Sequence, residues 1–461
     1  MAPHAKKKQI LHWFAQVMQE IPPTFEQNLL GGRGVNTIDP RNIEAILSTN
    51  FNDYCLGLRQ PTFRPLLGSG IFTQDGEAWK HSRHLLRPQL ASNRPQNFDQ
   101  IKKCVQDLID AIPKDGNVDL QPLCFRLTFD TTMFLLFGDS VSNADWGQVS
   151  GQESDFAAAF NTAQEYLSHR GRLGPFYWLM NSREFRDACR TCHRFVDGAV
   201  ARALRESTMG KGKGGPDSSQ SGGCFVEALV QQTTDPLVIR DQCLNVLLAG
   251  RDTTGCCLQW SFRLLARHQN VLDRLREEIK QAYGLGTSAP PPLREDLRDT
   301  QKSRLPYLHL VIKEVLRLYP SVPVNSREAA RLTVLPVGGG PDGQSPVLVR
   351  PGEGVGYCPY VMHRRKEIYG EDANQFRPER WEDGSLRDVG WGYLPFNGGP
   401  RICLGQEFAW LEIAYTIARV VQVFPQIRVP SDEASVGVGM EKQNLTLVVS
   451  SADGCVVSLG A

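Results

Sequence analysis

Apolar residues recur every three to four positions along most of this chain, and that spacing predicts helices. Val105–Ile112, Thr128–Phe137, Asp155–Leu167, Phe185–Leu204, Leu237–Arg267 and Val271–Tyr283 each carry such a stripe. Runs with strand character are short: Val35–Ile38, Leu332–Leu335, Val347–Val349 and Leu445–Ser450. They gather near the N-terminus and in the C-terminal third. The pattern predicts a mainly α fold with a smaller β region. Near the start, Ile10, Trp13, Phe14, Val17, Met18 and Ile21 fall at helical spacing behind Lys6, Lys7 and Lys8. This amphipathic helix is expected to pack on the domain, with peripheral membrane contact as the alternative.

Three features break the pattern. Residues 210–223 are rich in glycine and serine and predict a flexible loop; Ala289–Pro292 predicts a stiff connector. Neither has to mark a border, so residues 1–461 are read as one domain. The third break lies inside the longest helix, where Ala249-Gly250-Arg251-Asp252-Thr253-Thr254-Gly255 interrupts an apolar run. Each glycine there weakens the helix by roughly 1 kcal/mol relative to alanine. Such a local conflict often marks function, although an exposed polar turn would look the same. Glu314 and Arg317, at i and i+3, sit in the apolar stretch Leu308–Leu318, where unpaired charge would be costly if buried.

Composition narrows the possibilities. With 461 residues, 41% of them hydrophobic, the chain has material for a large core. A formal net charge of +1 gives no reason to expect nucleic-acid binding. No stretch of about 18 apolar residues would span a membrane. The twelve cysteines are scattered behind no secretory signal, and read as thiols. For the same reason Asn444-Leu445-Thr446 should stay unglycosylated.

One of those cysteines has a distinctive setting: Phe396-Asn397-Gly398-Gly399-Pro400-Arg401-Ile402-Cys403-Leu404-Gly405, leading into an apolar helical stretch. A sulfur at or near a helix start is favoured as thiolate, the form that binds metal strongly. Gly399 and Gly405 allow a flat cofactor to approach the backbone. Arg401 can pair with a carboxylate on that cofactor. A buried cysteine beside a helix cap is the plain alternative.

These residues fit Phe-x-x-Gly-x-Arg-x-Cys-x-Gly at every fixed position, and the stretch resembles the haem-ligand loop of the cytochrome P-450 superfamily. The resemblance implies that fold, with haem b (iron protoporphyrin IX) between the long central helix and the cysteine-bearing loop, and Cys403 as axial thiolate. It extends to Ala249, Gly250, Asp252 and Thr253, which match the central helix. There it implies an oxygen groove at Ala249 and Gly250, a hydroxyl at Thr253 beside bound oxygen, and proton delivery by Asp252. Thr254 has a weaker claim. Trp79 and Arg83 match a Trp-x-x-x-Arg helix that reaches a haem propionate, and Arg327 stands where the family often has another propionate-binding arginine. Glu314 and Arg317, with Arg380 of Pro378-Glu379-Arg380, match a buried structural network. The matches run from Trp79 to Gly405 in the family's order.

Wording around Ala249–Thr254, Gly76–Arg83, Leu86–Gln89, Arg317–Pro323 and Phe396–Gln406 resembles the fungal alkane and fatty-acid hydroxylase branch. That implies terminal hydroxylation of a long apolar substrate, against walls at Leu67–Phe72, Leu244–Leu248, Val322–Asn325 and Met440–Leu445. Oxidation of an alkyl or polyketide chain in fungal secondary metabolism is the alternative. A non-monooxygenase haem protein, isomerase or sensor, is a second. No Rossmann fingerprint is visible, so electrons are expected from NADPH through a partner, NADPH–cytochrome P-450 reductase, with cytochrome b5 a further candidate. The branch implies the cytosolic face of the endoplasmic reticulum. Its usual N-terminal membrane anchor is not in this sequence, which leaves a soluble cytoplasmic location open. Cys189-Arg190-Thr191-Cys192-His193 fits a covalent haem-attachment pattern but lies in a predicted helix, and is read as accidental.

Overall fold

Asp235 and Pro236 start the longest helix. Asp235 Oδ1 accepts the Leu237 N–H at 2.9 Å, and the proline at the first helical position leaves no donor unpaired. The helix then runs from Pro236 to Arg267, through the glycines and threonines, close to the predicted Leu237–Arg267. The computed structural model describes residues 4, 7–29, 32–90, 95–113, 116–138, 150–208, 224–298, 303–430 and 436–460, so the Gly/Ser-rich segment 210–223 lies outside the described residues. The chain divides into two compact units: Met1–Gly57 with Val105–Leu127 and Asp252–Ala461, and Leu58–Cys104 with Thr128–Arg251.

The second unit is helical. Its helices Arg59–Leu67, Gly76–Leu90, Ser150–Arg172 and Arg183–Thr208 enclose an aromatic core in which Phe156 contacts Phe129, Phe160 and Phe195. Cys189 and Cys192 sit in Arg183–Thr208, both buried, and burial pushes the Cys189 thiol up to about 12. No disulfide joins any of the twelve cysteines.

The first unit carries the β structure. Its largest sheet runs, edge to edge, Thr24–Leu29, Gly32–Thr37, Gly354–Tyr357, Asn325–Ala329 and Tyr54–Cys55, with Gly32–Thr37 and Gly354–Tyr357 parallel. Alternation along Asn325–Ala329 turns Arg327 and Ala329 inward. The predicted strand Leu445–Ser450 is instead a hairpin, Gln443–Leu445 against Val449–Ser451, reversed by a Thr446 N–H to Val448 carbonyl bond. Helix Ile10–Glu20 packs into this unit through Ile10 and Leu11, both buried. Among the described residues no helix is long and apolar enough to cross a membrane.

The centre of this unit is a charge cluster. Glu314 and Arg317 of helix Pro306–Leu318 are fully buried, and Arg317 donates from Nε and NH2 to both carboxylate oxygens at 2.8 Å. Arg380 adds a bond to Glu314 Oε1 at 2.8 Å, and the Trp381 indole one to Oε2 at 3.0 Å. Spare guanidinium donors go to the carbonyls of His363, Ala373 and Gln375 from Arg317, and of Tyr369 and Asp372 from Arg380. The guanidiniums hold the Glu314 carboxyl below its usual range against the opposing effect of burial. His363 continues the cluster. Its Nδ1 lies 3.0 Å from the Arg317 carbonyl, and the Leu394 N–H donates to Nε2 at 2.8 Å, which fixes the proton on Nδ1.

Burial pushes His363 down to about 3. The unfolded chain takes up that proton below about 6.5 and the folded chain only near 3, so stability is whole above 6.5 and falls as pH drops between the two. Urea unfolding should show a loss of about 2 kcal/mol at pH 5 from this group. His363→Gln should be less stable at pH 7.5 but lose most of that slope; an unchanged slope would contradict the assignment.

Candidate active site

Three backbone features shape the cysteine loop. Asn397 takes a left-handed conformation at φ 60°, held by the Tyr357 hydroxyl on its Oδ1 at 3.2 Å and by its own Nδ2 on the Arg401 carbonyl at 3.2 Å. Gly399 also has positive φ, 64°, and a Cβ there would stand 1.8 Å from the Leu47 carbonyl oxygen. The Cys403 N–H closes the loop onto the Phe396 carbonyl at 2.9 Å. Helix Gln406–Val423 begins three residues after Cys403, with Gly405 as its N-cap, and the Cys403 side chain is exposed. Gly405 differs from Gly399: nothing lies within 4 Å of the place a Cβ would take.

Arg327 belongs to the same unit. It is buried, and its NH1 donates to the Ser326 carbonyl at 2.8 Å, while its Nε is buried with no hydrogen-bond partner. A buried guanidinium donor left without an acceptor costs about 1–3 kcal/mol or more. Arg401, half-buried, is fixed through its carbonyl by Asn397.

Asp252 and Thr253 are in this unit too. Asp252 is buried and Thr253 half-buried. The Thr253 carbonyl accepts the Ser321 hydroxyl at 2.8 Å, and the Ser321 carbonyl accepts the Val449 N–H at 3.1 Å.

The helical unit holds the other four predicted residues. Trp79 is buried on helix Gly76–Leu90, with the Arg83 guanidinium 5.9 Å from its ring centroid. Ala249 and Gly250 lie on the long helix, and Gly250 has a packing reason: a Cβ would come within 2.5 Å of Thr132 Oγ1. Here the structure also brings together two stretches expected to wall a substrate. Asn245 Oδ1 accepts the Phe72 N–H at 3.1 Å, its Nδ2 donates to the Leu67 carbonyl at 2.9 Å, and Asp241 Oδ2 accepts the Ser69 N–H at 2.7 Å.

Comparison with known proteins now decides the lineage. The family model described as cytochrome P-450 matches residues 2–441. The chain belongs to the cytochrome P-450 family. A cytochrome P-450 of Arthroderma benhamiae is 56% identical over 457 residues, 99% of this chain and 87% of that protein. Cytochrome P-450 52A12 of Debaryomyces hansenii is 43% identical over 442 residues, 93% of this chain and 84% of its own. Cytochrome P-450 52A5 of Candida maltosa is 45% identical over 412 residues, 87% and 77% respectively. Among solved structures, a cytochrome P-450 haem domain superposes with a TM-score of 0.77 at 21% identity, over 97% of this chain and 92% of that one, and shares the fold.

This cytochrome P-450 is thus a haem-thiolate monooxygenase, and its own residues fit the prosthetic group. A thiol is exposed at Cys403, the open side of Gly405 leaves room against the backbone, and the buried Arg327 Nε has no acceptor among the described residues. Three residues were given no role from the sequence. Asn245 and Asp241 lie in the stretch read as the long helix, and the loop they hold is more than 160 residues away in sequence. Ser321 lies within Arg317–Pro323, read only for its resemblance.

The two loop glycines should separate by substitution. Gly399→Ala meets both the Leu47 carbonyl and a left-handed backbone, and should destabilise by about 1–3 kcal/mol. Gly405→Ala should unfold within about 0.5 kcal/mol of wild type as apoprotein, yet bind haem more weakly. Denaturation of apoprotein alongside haem titration checks both; equal haem affinity in Gly405→Ala would remove that glycine from the cofactor site.

Proposed function

We propose that this monooxygenase hydroxylates fatty acids or alkanes at or near a chain end, acting as one haem-bearing domain. The observation that carries the site is the cysteine loop, in which a steric need for glycine at Gly399 coexists with an unneeded glycine at Gly405 beside an exposed thiol. Bound haem supplies activation of dioxygen. Cys403 would hold the iron through its thiolate, a ligand whose electron donation would favour O–O cleavage. Arg327, Arg401, Trp79 and Arg83 would hold the propionates, and a carboxylate there would give the buried Arg327 Nε the acceptor it lacks. Ala249 would border the space for oxygen, while the neighbouring Gly250 packs against Thr132. The Thr253 hydroxyl orders a proton above that space, and Asp252 passes protons toward it.

Leu67–Phe72, held by Asn245 and Asp241, and Leu244–Leu248 offer an apolar wall to a long chain; in the other unit Val322 and Met440 are exposed apolar candidates for the same role. Electrons come from NADPH through a partner reductase, with cytochrome b5 a further donor, and the enzyme works at the cytosolic face of the endoplasmic reticulum. The relatives named cytochrome P-450 52A12 and 52A5 support this reading by their overall similarity.

Reduced protein under carbon monoxide should give the Soret band from which the family takes its name, and Cys403→Ala should lose it. Lauric and palmitic acids should shift the ferric spectrum and turn over with reductase. Failure of both acids would redirect the substrate to another alkyl chain, such as a polyketide tail. Thr253→Ala should load haem normally but divert NADPH to peroxide, with product per NADPH falling about tenfold or more. Unchanged coupling would refute the role of its hydroxyl.

A further inference from the structure

Behind Thr253 lies a stack of oxidisable rings. Trp260 is seven residues further along the same helix, so it lies on nearly the same face, about 10 Å along the axis. Its ring stacks on Tyr319 with centroids 3.9 Å apart and planes 9° from parallel. Tyr360 meets Tyr319 edge-on at 6.5 Å. All three rings are buried. The Tyr319 hydroxyl donates to Glu441 Oε1 at 2.7 Å and accepts the Gly439 N–H at 3.0 Å, which also donates to Glu441 Oε2 at 2.8 Å. Tyr360 instead accepts from Gln443 Nε2 at 3.1 Å, and has the Arg364 guanidinium 3.7 Å from its ring centroid. The Trp260 indole N–H donates to the Val449 carbonyl at 3.1 Å, Val449 N–H to Ser321, and Ser321 to the Thr253 carbonyl. The stack and Thr253 are therefore tied by one chain of hydrogen bonds within one unit.

We infer that Trp260 and Tyr319, with Glu441 as proton acceptor, form a one-electron relay that drains oxidising equivalents from the oxygen site when no substrate is positioned. The inference rests on the proposed placement of Thr253 beside bound oxygen. In each event, a strong oxidant generated from dioxygen or peroxide at the haem gains one electron from Trp260. Tyr319 refills the indole through the stacked rings and loses its phenolic proton to Glu441. The net change is one electron gained by the oxidant, one electron and one proton lost by Tyr319, and Glu441 protonated. A soluble thiol or ascorbate resets the tyrosine. Of the two tyrosines in the stack, Tyr319 is the one with a carboxylate on its hydroxyl, so the radical rests there: a buried phenol losing an electron without shedding its proton would leave an uncompensated charge. Tyr360, whose hydroxyl accepts and whose ring lies closer to the Arg364 guanidinium (3.7 Å, against 5.5 Å for Tyr319), is the poorer donor.

The test mixes haem-loaded protein with a peracid without substrate and freezes it rapidly for electron paramagnetic resonance. Wild type should give a tyrosyl radical, Tyr319→Phe should lose it, and Trp260→Phe and Glu441→Gln should lower its yield at least fivefold. Tyr360→Phe should keep it. Under turnover with NADPH and reductase, Trp260→Phe should match the initial rate yet survive several-fold fewer turnovers. Equal radical yield in Tyr319→Phe, or no radical in wild type that shows the carbon monoxide Soret band, overturns the relay. Absence of that band in wild type overturns the underlying haem placement instead.

Discussion

The carboxylate of Glu314 is the constraint on which the sheet-bearing unit depends. It is wholly out of solvent and is neutralised by two guanidiniums and an indole N–H. Removing one partner of such a cluster costs about 3–5 kcal/mol, whereas replacing the whole cluster with apolar groups is often neutral. Its value here is placement. Arg317 and Arg380 spend their remaining donors on the carbonyls of His363, Tyr369, Asp372, Ala373 and Gln375, a stretch without long regular structure of its own. His363 then hands the order on to Leu394, two residues before the cysteine loop.

Legibility followed the range of the interactions. The long helices could be read because their signal is local and periodic. Leu445–Ser450 was misread because every residue in it suits a strand and no glycine or proline announces the reversal at 446–448. Asn325–Ala329 and Gly354–Tyr357 gave almost no signal: one is mostly polar, the other glycine-rich, and their pairing joins distant parts of the chain. The carboxylate cluster was visible as residue types, but only resemblance joined Arg380 to Glu314 across 66 positions.

The same division holds at the site. Cys403 and its glycines were evident from sequence, but the sequence could not tell the two glycines apart. Gly399 answers to a carbonyl at Leu47, and Gly405 answers to no neighbouring protein atom. Gly250 likewise has its explanation 118 residues away, at Thr132. A glycine that the polypeptide itself demands says little about a ligand. A glycine with open space beside it says more.

The segment Tyr319–Ser321 joins the two themes. It leaves helix Pro306–Leu318 directly after Arg317, so the charge cluster sets where it starts. Two residues later Ser321 is fixed to Thr253 and Val449. Tyr319 is caught between these anchors, and its ring has little freedom to tilt away from Trp260. One buried ion cluster thus holds the approach to Cys403 on one side and the aromatic stack beyond Thr253 on the other. The proposed relay would draw on both, a sulfur held still and a defined exit for electrons. Electron exchange between rings decays steeply with distance, so the 3.9 Å stack is as much a consequence of Glu314 as the cysteine loop is.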